Sequence, residues 1–122
     1  MMKLTVLGCL GAYPYNNQGT TGYLLQSDGF NLLIDAGSAT LIKLQEHLDP
    51  LDLDAVILSH YHHDHIADLG VLQYYWQLHP KRDPETLLSI YGHTKDSVHF
   101  EELTMANVSK GHPYFEAEEL KI

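Results

Sequence analysis

The 122-residue sequence predicts an α/β fold, and three observations carry that expectation. Short apolar runs alternate with segments of helical period. Asp28-Gly29 lies between two such runs and marks a hairpin. The run at 53–59 is continuous in Val, Ile and Leu with little polar alternation, the pattern of a strand covered on both faces. This length allows one domain at most, and 44% hydrophobic residues suffice to bury a core.

In chain order, residues 3–7 predict a short buried strand. Lys3 ahead of the apolar stretch 4–12, with Cys9 inside it, has the outline of a lipoprotein leader. A secretory leader needs roughly 15–30 residues, and only eight precede Cys9, so a first strand is expected instead. Residues 8–19 carry three glycines, Pro14 and the Asn16-Asn17 pair, and predict a loop. Gly8 and Gly11 either let that loop approach a site closely or serve a plain turn. The runs 22–26 and 30–34 are the hairpin arms, and Asp35-Ala36-Gly37 ends the second. Ser38 or Thr40 can cap a helix reaching about residue 48, with Leu41, Leu44 and Leu48 on one face and Pro50 as its stop. After the buried strand 53–59, residues 64–77 predict a helix with Ile66, Leu69, Leu72 and Trp76 turned inward. A polar loop at 81–84, a strand at 86–91, a short helix at 94–103, a linker at 110–113 and the start of a strand at 119–122 complete the pattern.

The chain is acidic, with 16 Asp and Glu against 7 Lys and Arg and a formal net charge of −9. That balance opposes nucleic-acid or anionic-membrane binding through the bare surface. No run approaches the ~18 apolar residues of a membrane span, so no membrane partner is expected. Cys9 is the single cysteine, which excludes an intramolecular disulfide and fits a reducing, cytoplasmic setting.

Directly after the buried strand comes His60-Tyr61-His62-His63-Asp64-His65, which holds four of the nine histidines. Imidazole nitrogen and carboxylate oxygen are ligands that zinc, iron or manganese accept. A strand is a rigid base, and the loop at its end can aim several side chains at one point. His60 and His62 are two apart, so extended backbone turns them the same way. Asp64 and His65, at the start of the next helix, can face the same ion from its other side or a second ion. Elsewhere, His93 reads as a strand-end residue near the mouth of such a site, and His47, His79, His99 and His112 as solvated. Tyr13, Tyr15, Tyr74 and Tyr75 read as ordinary packing, with a substrate mouth as the alternative.

Leu58-Ser59-His60-Tyr61-His62-His63-Asp64-His65, preceded by Leu33-Ile34-Asp35-Ala36-Gly37 and followed by Ile90-Tyr91-Gly92-His93, resembles the metallo-β-lactamase-fold hydrolases, and among them the ribonuclease Z-like branch. The likeness covers essentially the whole chain. It departs from ribonuclease Z at His63, where a small residue is common, and at Ile66-Ala67-Asp68-Leu69-Gly70, where Gly-Leu commonly follows the motif. The resemblance implies that His60 and His62 bind a first metal and Asp64 and His65 a second, with Asp64 also catalytic. Asp35 is implied to lie beneath the loop, holding backbone amides or a ligand histidine; plain turn chemistry at the strand end is the alternative.

The same resemblance implies half of an αββα sandwich, a mixed sheet with helices on its outer face. Residues 1–122 are then expected to be a single partial domain, the N-terminal half, because the family's further histidine, bridging aspartate and last histidine have no counterpart here. The implied activity is metal-dependent hydrolysis of a phosphodiester by a metal-activated water, with two Zn2+ per complete domain and Mn2+ or Fe as alternatives. A small-molecule or phosphodiester substrate is expected, with RNA possible for the complete enzyme. Thioester or lactone hydrolysis, a di-iron protein on the same fold, and a non-catalytic metal-binding fragment are the rivals. The 122 residues alone are expected to be inactive or weakly active, and to pair with the missing half or with a second copy.

Overall fold

A computed structural model describes residues 1–119 of the chain. Seven strands form one mixed sheet in the order β2-β1-β3-β4-β5-β6-β7. These are β1 (Met2–Leu10), β2 (Gly19–Thr20), β3 (Gly22–Ser27), β4 (Phe30–Ile34), β5 (Ala55–Ile57), β6 (Leu88–Gly92) and β7 (Ser109–Pro113). β3 pairs antiparallel with both β1 and β4, whereas β4, β5, β6 and β7 run parallel to one another. The turn of the β3–β4 hairpin puts Asp28 at φ 49° and Gly29 at φ 84°, the left-handed geometry that Asp-Gly tolerates.

The helices are α1 (Thr40–Leu44), α2 (His63–Ile66), α3 (Leu69–Leu78) and α4 (Ser97–Glu102). Alternation along the strands sends Leu24, Leu33, Val56 and Ile90, which are in register, to one face of the sheet. Leu44 from α1, Leu69, Leu72 and Trp76 from α3, and Leu103 after α4 pack there as one cluster. Burying a side chain such as Leu33 completely stabilises the fold by roughly 1.5–3 kcal/mol. On the opposite face, Leu32, Ala55 and Tyr91 form a smaller cluster, joined by Leu25, Phe30, Ile34 and Ile57. Towards β1 that face opens, and Met2, Leu4 and Val6 are exposed.

Several elements differ from the expected ones. The linker at 110–113 is strand β7, paired parallel with β6 along its length. Its Ser-Lys-Gly-His-Pro sequence has no strand pattern; position supplies one, since Gly111 packs against Leu103 Cβ and the Ser109 hydroxyl donates to the Leu103 carbonyl at 2.8 Å. The helix expected at 64–77 is two, α2 and α3, broken at Ala67-Asp68. The break lets the Asp68 amide donate to the Ala36 carbonyl at 2.9 Å, while its carboxylate accepts the Leu41 amide at 2.9 Å. Asp68, not Ser38 or Thr40, therefore caps α1, whose N-cap Ala39 is left-handed at φ 71° and makes no side-chain cap bond. α1 itself closes at Leu44 and continues to Leu48 only as turns. The loop expected at 8–19 begins later, because β1 runs to Leu10 and pairs Gly8 with Gly19. Gly8 is required by the Thr20 and Gly19 backbone lying against it, while Gly11 faces open space. Glu119, expected to begin a strand, ends a 3-10 turn at Tyr114–Glu119; residues 120–122 lie outside the described residues.

Among the described residues no helix is long and apolar enough to cross a membrane. Burial pushes the Asp68 carboxyl above its usual range, and the α1 amides oppose that shift. Asp68→Ala is expected to lower stability by about 1 kcal/mol through loss of this cap, measured as a lower urea midpoint with an unchanged slope.

Candidate metal centre

The site stands at the carboxyl end of β5, where the parallel strands stop and loops from β1 and β4 meet the histidine-rich loop. At the end of β4, Asp35 turns into the left-handed region at φ 62°. Its amide stays on the sheet, donating to the Ile57 carbonyl at 2.9 Å, so the side chain is aimed along the end of β5. There its carboxylate, in a residue only 3% exposed, is fully engaged. Oδ1 accepts the Ser59 amide at 2.7 Å, and Oδ2 accepts the Ser59 hydroxyl at 2.7 Å. The same Oδ2 lies 2.9 Å from Nδ1 of His65. A buried carboxylate with several donors is a satisfied one.

Beyond Asp35, the Ala36 amide donates to the His65 carbonyl at 2.8 Å. Gly37 follows, where any Cβ would collide with the Asp64 carbonyl and the Thr20 hydroxyl. The Asp35-Ala36-Gly37 turn and the helix α2 backbone are thus in direct contact, which explains the glycine. From the other side, the Ala12 amide of the first loop donates to Asp64 Oδ2 at 3.2 Å. Ala12 is itself left-handed, at φ 68°.

Alternation sets the rest. Tyr61 turns inward, is 8% exposed, and donates to the His93 carbonyl at 2.8 Å. Its ring lies against His93 and stacks on His99, with centroids at 4.4 and 5.4 Å. Gly92 makes room for its hydroxyl. Burial, with the charges of Tyr114 and Asp96 adding, pushes the Tyr61 phenol up to about 12, so it stays a hydrogen-bond donor at neutral pH. His60 and His62 turn the other way, ring centroids 4.5 Å apart, and His60 lies 3.9 Å from the His65 ring. Tyr114 closes the strand end, donating to the Leu58 carbonyl and, at 3.0 Å, to that of Ser59.

His60, His62, Asp64 and His65 are therefore brought together, with Asp35 beneath them. His65 Nε2, the nitrogen not held by Asp35, is 3.4 Å from Asp64 Oδ2. Two donors at ~2.0–2.1 Å from a tetrahedral ion stand about 3.3 Å apart, so this pair has ligand spacing. Among the described residues no group of three His, Cys, Asp or Glu side chains forms a finished ion cage. The His60 and His62 rings pack on their neighbours, and His62 and His63 are exposed. In donor chemistry the set suits a divalent cation, and the Asp64–His65 pair stands at ligand spacing.

Of the remaining histidines, His93 lies just past the end of β6, and its buried Nδ1 has no hydrogen-bond partner among the described residues. His99 and His112 are not simply solvated. His99 bonds Asp96 at 2.7 Å, and His112 bonds Glu116 at 2.9 Å while stacking on Tyr91. His79 likewise stacks on Tyr75. Tyr13, Tyr15 and Tyr74 are exposed rather than packed, and Tyr75 bonds Asp49. Ser59 and Ala12 were not singled out by sequence. A hydroxyl adjoining the first histidine was a signal for Ser59; the Ala12 donor is a backbone amide and carries none.

Residues 16–114 match the family model of the metallo-beta-lactamase superfamily. The chain belongs to that superfamily. It is 49% identical over 114 residues to the probable metallo-hydrolase YhfI of Bacillus subtilis, covering 93% of this chain and 47% of that protein. The crystal structure of YhfI superposes with a TM-score of 0.88 over 92% of this chain and 46% of its own. A ribonuclease Z of Clostridium acetobutylicum is 30% identical over 93 residues, 75% of this chain and 30% of that enzyme. The short form of human tRNase Z, 22% identical, shares the fold at a TM-score of 0.73 over 93% of this chain and 45% of its own. The chain thus spans about half the length, or less, of the relatives it matches. In this superfamily member the seven-stranded mixed sheet carries the histidine loop at the end of its central parallel strand.

Two outcomes follow from the geometry. Asp35→Ala strands the Ser59 amide and hydroxyl, and is expected to cost about 1–3 kcal/mol, measured by chemical denaturation. The Ala12 amide, more than the neighbouring His65 and His60, holds the Asp64 carboxyl below its usual range. A depressed folded value means that this contact stabilises above the ordinary carboxylate pKa and is lost as pH falls through the lower one. The Asp64 side-chain carbon in metal-free protein should accordingly titrate below ~3.9; a midpoint at or above that value would contradict the contact.

Proposed function

We propose that this chain supplies the ion-holding part of a metal-dependent hydrolase acting on phosphodiesters, with His60, His62, Asp64 and His65 as ligands and zinc as the preferred ion. The observation that carries this reading is the convergence of His65 Nε2 and Asp64 Oδ2 at ligand spacing beside the rings of His60 and His62. The phosphodiester class is suggested by the ribonuclease Z relative, while the net charge of −9 favours small phosphodiesters over a long RNA gripped by this surface. Manganese or iron would suit the same donors.

A divalent cation bound there would supply a water of lowered pKa and a Lewis acid for the oxygen on which charge develops. This chain's own residues do the rest of the positioning. Asp35 fixes the His65 ring by its Nδ1, leaving Nε2 for the ion. The Ala12 amide holds one oxygen of Asp64, which leaves Oδ1 to orient the attacking water or receive its proton.

We further propose that the chain corresponds to the N-terminal half of a complete domain. Its length relative to YhfI supports this, as does the open sheet face at Met2, Leu4 and Val6. Such a half is expected to hold metal weakly and to pair through that face with the second half or with another copy. The assay is metal analysis together with turnover of bis(p-nitrophenyl) phosphate, run on the chain alone and with the second half of YhfI added. Turnover is expected to be low alone, to rise on complementation, and to be lost in His62→Ala and Asp64→Ala. Undiminished turnover in both variants would refute the assigned roles, and thioester turnover with no phosphodiester turnover would refute the substrate class.

A further inference from the structure

We infer that Ser59 is a positioning residue that fixes His60 in its Nδ1–H form, so that one buried carboxylate orders two imidazoles, His65 directly and His60 through a hydroxyl. This rests on the proposed role of both histidines as metal ligands, and adds to it a residue whose part is to set a proton.

The Ser59 hydroxyl has one hydrogen and two lone pairs. Its oxygen lies 2.7 Å from Asp35 Oδ2 and 3.0 Å from His60 Nδ1. An ionised carboxylate only accepts, so the single hydroxyl hydrogen must go to Asp35. The oxygen is then left with lone pairs towards His60, and the contact at 3.0 Å is a hydrogen bond only if His60 Nδ1 carries the proton. The opposite arrangement, with Ser59 donating to His60, would press a hydroxyl lone pair against the carboxylate at 2.7 Å. Because Asp35 Oδ1 accepts the Ser59 amide and Oδ2 the hydroxyl, the serine, although exposed, is held by two bonds to one carboxylate.

His65 is ordered by the same rule without an intermediary, its Nδ1 lying 2.9 Å from Asp35 Oδ2. Its distance to the Ser59 oxygen is 3.4 Å, so the carboxylate is the nearer acceptor. The result is a branched relay, from His60 Nδ1–H to the Ser59 oxygen, from the Ser59 hydroxyl to Asp35, and from His65 Nδ1–H to the same oxygen of Asp35. Both histidines then present Nε2 as a bare lone pair, on rings only 3.9 Å apart. A neutral imidazole coordinates through its unprotonated nitrogen, and which one that is depends on the bond made by the other.

The test is long-range proton–nitrogen correlation NMR on the metal-free, histidine-labelled 122-residue chain, at ~pH 8–9 where imidazole is neutral. Wild type and Ser59→Thr are expected to show His60 and His65 both as Nδ1–H. In Ser59→Ala, His60 should move to the Nε2–H form while His65 keeps its pattern and reports an intact fold. Zinc affinity, measured by chelator competition, should fall about 10-fold in Ser59→Ala and be restored in Ser59→Thr. His60 protonated on Nε2 in wild type, or unchanged by Ser59→Ala, would overturn the relay. If the alanine variant does not fold, the wild-type and threonine spectra decide. The relay tautomers in wild type with no zinc uptake, either alone or with the second half of YhfI added, would uphold Ser59's role and overturn the metal reading; zinc uptake with His60 as Nε2–H would do the reverse.

Discussion

The carboxylate of Asp35 is the constraint on which the rest of the site depends. It is buried at the end of β4, a place where an unpaired charge would be expelled or neutralised. Three contacts keep it there, and each one fixes a part of the histidine loop: the Ser59 amide, the Ser59 hydroxyl and the His65 ring. The left-handed backbone at Asp35 is what points the carboxylate across to β5 instead of along its own strand. The strain is modest for an aspartate, and the sheet bond from its amide to Ile57 holds the turn in place.

The loop is gripped from several directions at once. Ala12 reaches Asp64 from the first loop, Gly37 lets the turn after β4 touch the α2 backbone, Asp68 ties α3 to α1, and Tyr114 binds the carbonyls of Leu58 and Ser59. These partners lie far apart in sequence, and the parallel register of β4, β5 and β6 is what gathers them. A site supported by a rigid sheet end and by several loops keeps its donors within the narrow limits that coordination requires.

Much of this was legible in the sequence, for identifiable reasons. His60, His62, Asp64 and His65 fall within six residues of a buried apolar run, so local spacing alone brings them together. The Asp-Gly hairpin and the Val-Ile-Leu strand declare themselves by period and turn chemistry. β7 did not, because Ser109, Lys110, Gly111 and His112 lack strand character and are extended only by their ladder with β6. The division of α2 from α3 was hidden as well. Residues 64–77 keep a helical period straight through Asp68, and only the tertiary bonds to Ala36 and Leu41 break it. Ser59 and Ala12 escaped because their importance lies in long-range hydrogen bonds, which no local pattern encodes.

Tyr61 gives the histidine loop a meaning beyond its ligands. With its ring sunk against His93 and His99 and its phenol on a backbone carbonyl, it acts as a keel beneath the two imidazoles that face outward. The wild-card letter between the first two histidines is therefore spoken for. A small or charged side chain there would let the loop roll about its axis and carry His60 and His62 with it, even though every coordinating atom remained in the sequence.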